Sequence, residues 1–163
     1  MPVYIGSTNI SKAYVGSAEV KKIYAGSTEV WSNFTPVGML KAGSTTTASS
    51  GTLKQVTGMV ADPDYPGSTV TVNSVTVLQS KVDATISMSV NCSNNFNTTV
   101  TVAAYKNGAL IGTSLTRTGG SGTFTIAGTT TGTVVEGDLI TLMCSAANGT
   151  TTIYVANTFL NVT

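Results

Sequence analysis

The sequence predicts an all-β protein: a short β-repeat appendage at the N-terminus, then a jelly-roll or sandwich domain. Three observations carry this. Only 9% of the 163 residues are charged, against roughly 25% in an ordinary globular domain. The filler is Thr, Ser, Gly, Asn and Val, a mix that disfavours helix and suits strands and turns. Apolar and polar residues alternate over short runs separated by Gly-, Pro- and Asn-rich turns, and the first thirty residues repeat with a period of ten. Hydrophobic residues make up 41% of the chain, enough for a packed core.

The repeat comes first. Tyr4, Tyr14 and Tyr24 are ten residues apart, as are Gly6, Gly16 and Gly26, then Ser7, Ser17 and Ser27, then Ile10, Val20 and Val30. Each decad reads as a short strand, a Gly-Ser turn and a second short strand. One such unit is too small to bury a face, and three make at most a small meander that needs something to pack against. Residues 1–34 are therefore expected to be an anchoring segment that docks on another subunit through Tyr4, Tyr14, Tyr24, Ile10, Val20, Val30 and Trp31. The alternative is an appendage folded onto its own chain.

Residues 35–52 lose the period. Pro36 and Gly38 break it, and GSTTTASSG is low in complexity, so this stretch is expected to be a flexible linker. From residue 53 to 163 strand signals recur. VDATISMSVNC alternates strictly, placing Val82, Ala84, Ile86, Met88, Val90 and Cys92 on one side. TVAAYKNGALIGTSL is a hairpin with Asn107-Gly108 at its tip, a strong short-range turn signal. GTFTIAGTTTGTVV, GDLITLMCSA and TTIYVANTFLNVT supply the last strands. About eight strands with turns every 8–12 residues fit a sandwich or jelly roll.

Composition excludes much chemistry. The chain has no histidine, so a Ser-His-Asp triad, a Cys-His pair and a histidine-ligated metal are ruled out. Asp62 and Asp64, in ADPDYPG, could hold Ca²⁺ or act as a carboxylate pair, but Pro63 and Pro66 favour a turn. Glu136-Gly137-Asp138 likewise reads as a turn. Gly119-Gly120-Ser121-Gly122 has no Lys after it and lies between strands, unlike a phosphate-binding loop. The reading is a protein without catalytic, cofactor-binding or metal-binding residues, and not an enzyme. Cys92 and Cys144 both continue apolar alternations and read as small buried hydrophobes; a disulfide between them is the alternative. A net charge of +1, from 8 basic and 7 acidic residues, with no basic cluster, argues against nucleic-acid binding. No apolar run approaches the ~18 residues of a membrane span, and MPVYIGST does not read as a secretory signal.

Residues 105–163 carry a resemblance. The order YKNG, a Thr- and Gly-rich strand, VVEGDLITLMCSA and a final TFLNV resembles the C1q/TNF-like jelly roll of bacteriophage virion proteins, with LKQVTGMVADPDYPG similar to its opening segment. The repeats Tyr4-Ile5-Gly6-Ser7, Tyr14-Val15-Gly16-Ser17 and Tyr24-Ala25-Gly26-Ser27 are similar to those that open actinobacteriophage minor tail proteins. The resemblance implies a virion structural protein made in the host cytoplasm, with other virion proteins as partners and a homotrimeric jelly-roll knob that aids host attachment. Two alternatives stand beside it: a capsid decoration protein or head fibre, and a carbohydrate-binding or adhesion module in which Tyr4, Tyr14, Tyr24 and Trp31 stack on a host-surface glycan.

Overall fold

A computed structural model describes the main chain of residues 4–5, 8–9, 13–20, 22–26, 28–49 and 51–163, and the side chains of 13–18, 20, 22–26, 33–48 and 51–163. The chain is divided into two compact units, Met1–Thr35 and Pro36–Thr163. Every described element is a strand.

The first unit holds β1 (Tyr4–Ile5), β2 (Thr8–Asn9), β3 (Ala13–Val15), β4 (Ala18–Val20), β5 (Lys22–Ala25) and β6 (Thr28–Ser32). They pair as three separate two-stranded sheets, β1 with β2, β3 with β4 and β5 with β6. Each decad is thus its own hairpin, and the described strands do not join into one meander.

The second unit begins with β7 (Val37–Lys41), β8 (Thr46–Ser49), β9 (Lys54–Gln55), β10 (Met59–Ala61), β11 (Val70–Thr71) and β12 (Ser74–Thr76). The long strands β13 (Lys81–Asn94), β14 (Thr98–Lys106) and β17 (Gly122–Val134) follow, with the short β15 (Ala109–Leu110) and β16 (Leu115–Gly119) between the last two. The chain finishes with β18 (Leu139–Ala146), β19 (Thr150–Ile153) and β20 (Phe159–Val162). Two seven-stranded antiparallel sheets form. In the first, β10, β7, β20 and β13 lie side by side, β17 flanks the other edge of β13, and β19 with β8 extends the far end. In the second, β18 and β14 are central, with β12, β11 and β9 on one side and β15 and β16 on the other.

The core fills the space between the sheets. Alternate residues of β13, from Ala84 through Ile86, Met88 and Val90 to Cys92, are almost fully buried, as are Val100, Val102, Ile140, Leu142 and Cys144 of the opposing sheet. Each such large aliphatic side chain contributes about 1.5–3 kcal/mol on burial. Val82 breaks the expected alternation and is 67% exposed. A β-bulge between Lys81 and Ala84 inserts one extra residue, with Asp83 at φ 54°, and reverses the phase of the strand there.

The expected linker is corrected more thoroughly. Within residues 35–52 lie β7, hydrogen-bonded between β20 and β10, and β8, paired with β19. Val37 and Met39 are completely buried. Pro36 precedes the strand, where its missing N–H breaks no ladder bond. Gly38 is needed inside the strand because the Tyr65 ring lies on it. A Cβ there would come within 2.6 Å of Tyr65 Cδ2 and Asn161 Oδ1. The Thr- and Ser-rich run is a strand whose Ala48 packs inward.

The YKNG and GD motifs meet in space. Asn107 and Gly108, at φ 50° and 86°, make the two-residue turn between Lys106 and Ala109, the I′ geometry that Asn-Gly favours. The Asn107 side chain donates to Asp138 Oδ1 at 2.7 Å and accepts from the Leu139 N–H at 2.9 Å. Asp138 Oδ2 accepts from the Val135 N–H at 2.8 Å. These two motifs therefore lock neighbouring turns together.

Candidate docking surface

The second hairpin is built by its Gly-Ser turn. Gly16 sits at φ 63° while Ser17 has no positive φ, and Val15 pairs with Ala18 across them. This is the II′ pattern, with Gly at the first central position, whose twist matches that of the flanking strands. Gly26 holds the same position at φ 65°, between the paired Ala25 and Thr28.

Register then places the tyrosines equivalently. Tyr4 lies opposite Asn9, Tyr14 opposite Glu19 and Tyr24 opposite Glu29, each one pair back from the turn. Tyr14 is 57% exposed, Tyr24 53% and Val15 75%. Val20 is half-buried, at the open end of its hairpin opposite Ala13. The third hairpin departs from the repeat. Tyr24 pairs with Glu29 but Ile23 pairs with Trp31, so Val30 is the extra residue of a bulge and is not equivalent to Val20. The side chains of Tyr4, Val30 and Trp31 lie outside the described set, and Ile10 lies outside the described residues altogether.

An isolated two-stranded hairpin is marginal in water, and the second and third present Tyr14, Val15 and Tyr24 to solvent. A Tyr brings a large, rigid, amphipathic surface to an interface. The arrangement suits docking.

Elsewhere the candidate chemistry resolves into structure. Asp62 Oδ1 accepts the Asp64 N–H at 3.0 Å and the Asp62 carbonyl accepts the Tyr65 N–H at 3.0 Å, so this pair closes a turn. Among the described residues, no group of three or more His, Cys, Asp or Glu could hold a metal ion. Cys92 and Cys144 are free and buried. Burial pushes the Cys92 thiol up to about 11, against a smaller downward pull from Arg117. Burial, with Cys92 nearby, pushes Cys144 up to about 12. Neither is poised as a thiolate nucleophile. Lys41 gave no signal in the sequence. It is 1% exposed, its ammonium donates to the Thr57 carbonyl at 2.7 Å, and burial lowers its pKa.

No protein-family model matches the chain, and no curated protein matches it. Solved structures do. Eiger TNF from S. frugiperda superposes with a TM-score of 0.61 at 9% identity, over 79% of this chain and 90% of that one. Murine APRIL at pH 5.0 gives 0.54 at 15%, over 79% and 97%. The globular domain of zebrafish complement 1qA gives 0.47 at 12%, over 79% and 96%. At these identities the likeness is one of fold. The chain is an all-β protein with a jelly roll like that of Eiger TNF and APRIL, in keeping with the all-β jelly-roll fold the sequence predicts.

Proposed function

We propose that this chain is a non-enzymatic bacteriophage virion protein, a minor tail protein that docks through its N-terminal hairpins and displays the jelly roll as a trimeric knob that aids host attachment. The observation that carries the docking role is the recurrence of Tyr4, Tyr14 and Tyr24 at one register position in three separate hairpins, with Tyr14 and Tyr24 exposed. The phage setting is supported by the resemblance of the decads to those of actinobacteriophage minor tail proteins. The trimer is supported by the jelly-roll resemblance and by one feature of the surface. From Thr85 onward, the outward-facing residues of β13 are Ser, Thr and Asn, and those of β7, β20 and β17 are also uncharged. A lightly charged sheet face can meet copies of itself without desolvating ions, and closed cyclic symmetry stops such contact from propagating.

The test compares purified virions carrying wild-type protein, Tyr14→Ala or a deletion of 1–32. The Tyr14→Ala band should weaken and the truncated protein should be missing from particles, an interface Tyr being worth more than about 2 kcal/mol in favourable cases. Normal copy number of the truncated protein would show that the hairpins are not the anchor. Immunogold labelling at the capsid rather than the tail would move the reading to a decoration protein or head fibre. Light scattering of the purified protein at monomer mass would overturn the trimer.

A further inference from the structure

The edge strand β17 is unusual for its length and lack of protection. It runs for thirteen residues, GTFTIAGTTTGTV, with no charge and no proline, and among the described residues its only strand partner is β13. Thr85 exchanges main-chain hydrogen bonds with Thr163 on the β20 side of β13, at 2.8 and 2.9 Å. Even-numbered residues of β13 therefore bond β17, and the odd-numbered residues of β17 aim their N–H and C=O groups outward. A long uncharged edge of this kind is a template for pairing with another chain.

Two cations reach across from the second sheet onto those outward carbonyls. Lys106, at the end of β14, donates from Nζ to the Thr133 carbonyl at 2.9 Å and stands 3.8 Å from Asp138 Oδ2. Arg117, in β16, donates from Nη1 to the Thr125 carbonyl at 3.3 Å, its guanidinium held 4.6 Å from the centre of the Phe124 ring. The unit has five cationic side chains, Lys41, Lys54, Lys81, Lys106 and Arg117. Two of the five sit on this one edge. The stretch between them is bare: Ala127, Thr129 and Thr131 are exposed, and their outward main-chain groups have no partner among the described residues.

We infer that Lys106 and Arg117 guard this edge, occupying the carbonyls at both ends of the bare stretch so that β17 does not zip antiparallel onto β17 of a second copy. The window left is too short to nucleate a ladder while both ends hold bulky, hydrated charges. A second copy is the fitting intruder because β17 is nearly uniform in Thr and Gly and hence complementary to itself in antiparallel register. Like charges from the two copies would also meet wherever the pairing lengthened.

The test is the full-length Lys106→Met/Arg117→Met protein, which keeps apolar stems and removes both guards. Light scattering over a concentration series should show a shift from the wild-type mass toward species of about double that mass, as pairing across a two-fold axis requires, with the β-sheet circular dichroism retained. Adding Thr129→Pro should restore the wild-type mass. It removes an outward N–H without breaking a bond to β13, and it would not rescue association caused by loosened sheets. If the double variant fails to fold, Arg117→Met alone carries the same expectation at higher concentration. Wild-type mass throughout, or association that Thr129→Pro leaves unchanged, would overturn the inference.

Discussion

The two units use the same residue types in opposite ways. In the hairpins, Tyr, Val, Gly and Ser act locally: each strand meets its partner across a two-residue turn, and aromatic side chains remain half in water. In the jelly roll, Thr, Val, Gly and Ser act at long range: β7 pairs with β20 and β13 with β17, and the inward positions are sealed. Local pairing needs only turn chemistry, whereas long-range pairing needs a shared core. The described hairpin side chains Tyr14, Val15 and Tyr24 thus stay in water, whereas the jelly roll seals its inward positions and leaves apolar residues such as Val72, Val82 and Val135 exposed only at its surface.

Removing a segment from each unit should break the comparison most sharply. Deleting 159–163 takes away β20 from between β7 and β13 and removes Leu160 and Val162, both fully buried, from the core. The expected outcome is complete loss of the cooperative melting transition. Deleting 1–32 should leave that transition where it was. A drop in melting temperature on removal of the hairpins would mean that they serve their own chain.

A smaller effect is expected at two glycines. A Cβ on Gly132 would lie 2.4 Å from Ile111 Cγ1, because Ile111 closes the sandwich directly over β17. Gly132→Ala should destabilise the jelly roll by about 1–3 kcal/mol through overpacking, visible as a lower melting temperature. Gly16 has open space around it but sits at φ 63°. Gly16→Ala should strain only its hairpin, by roughly 1–2 kcal/mol, and leave the melting temperature unchanged. Hydrogen exchange at the β3 and β4 amides would report it instead.

The smallest effect is the response to alkali. Lys41 has a folded pKa below its ordinary 10.5, so the unfolded chain binds the extra proton and stability rises with pH toward 10.5. The two thiols have folded values above their ordinary 9.0, so their contribution is intact below 9 and is lost as pH climbs toward 11 and 12. Above pH 9 the two trends oppose each other. Melting curves should show stability climbing to about that pH and then flattening or falling, and Lys41→Met should reduce the climb to the part that Lys81, whose pKa burial also lowers, contributes. At pH 8, thiol reagents should label neither cysteine until the protein unfolds.

These contrasts also explain what could be read in advance. The Asn107-Gly108 turn, the Gly-Ser hairpins and most of the β13 alternation are encoded by adjacent residues, and the structure shows them as expected. The status of 35–52 was not legible. Gly38 looks like a breaker until Tyr65 and Asn161 are seen lying against it, and both are remote in sequence. Val82 fits the inward alternation until a bulge beside it shifts the phase. Of the expected docking residues, Tyr14 and Tyr24 are exposed and Tyr4 shares their register, whereas Val30 departs from Val20 because β6 has one residue more than β5 can match. Lys106 and Arg117 announced nothing, since a capped carbonyl belongs to the partner strand and not to the cation's own neighbourhood.

The place of β20 has a consequence in time. Val37 pairs with Val162 and Phe159 with Leu40, so the first strand of the jelly roll waits for its last. While the chain is being synthesised, β7 can meet β10 early, but its other edge has no partner until the residues around Phe159 emerge. A hairpin such as β3 with β4 can close within about 1–10 µs of leaving the ribosome. A sheet whose pairings are this distant belongs among folds that take milliseconds to seconds. The hairpins are therefore shaped long before the jelly roll, and the interval between them is the period in which the bare edges of β13 and β17 are most open to a neighbouring chain.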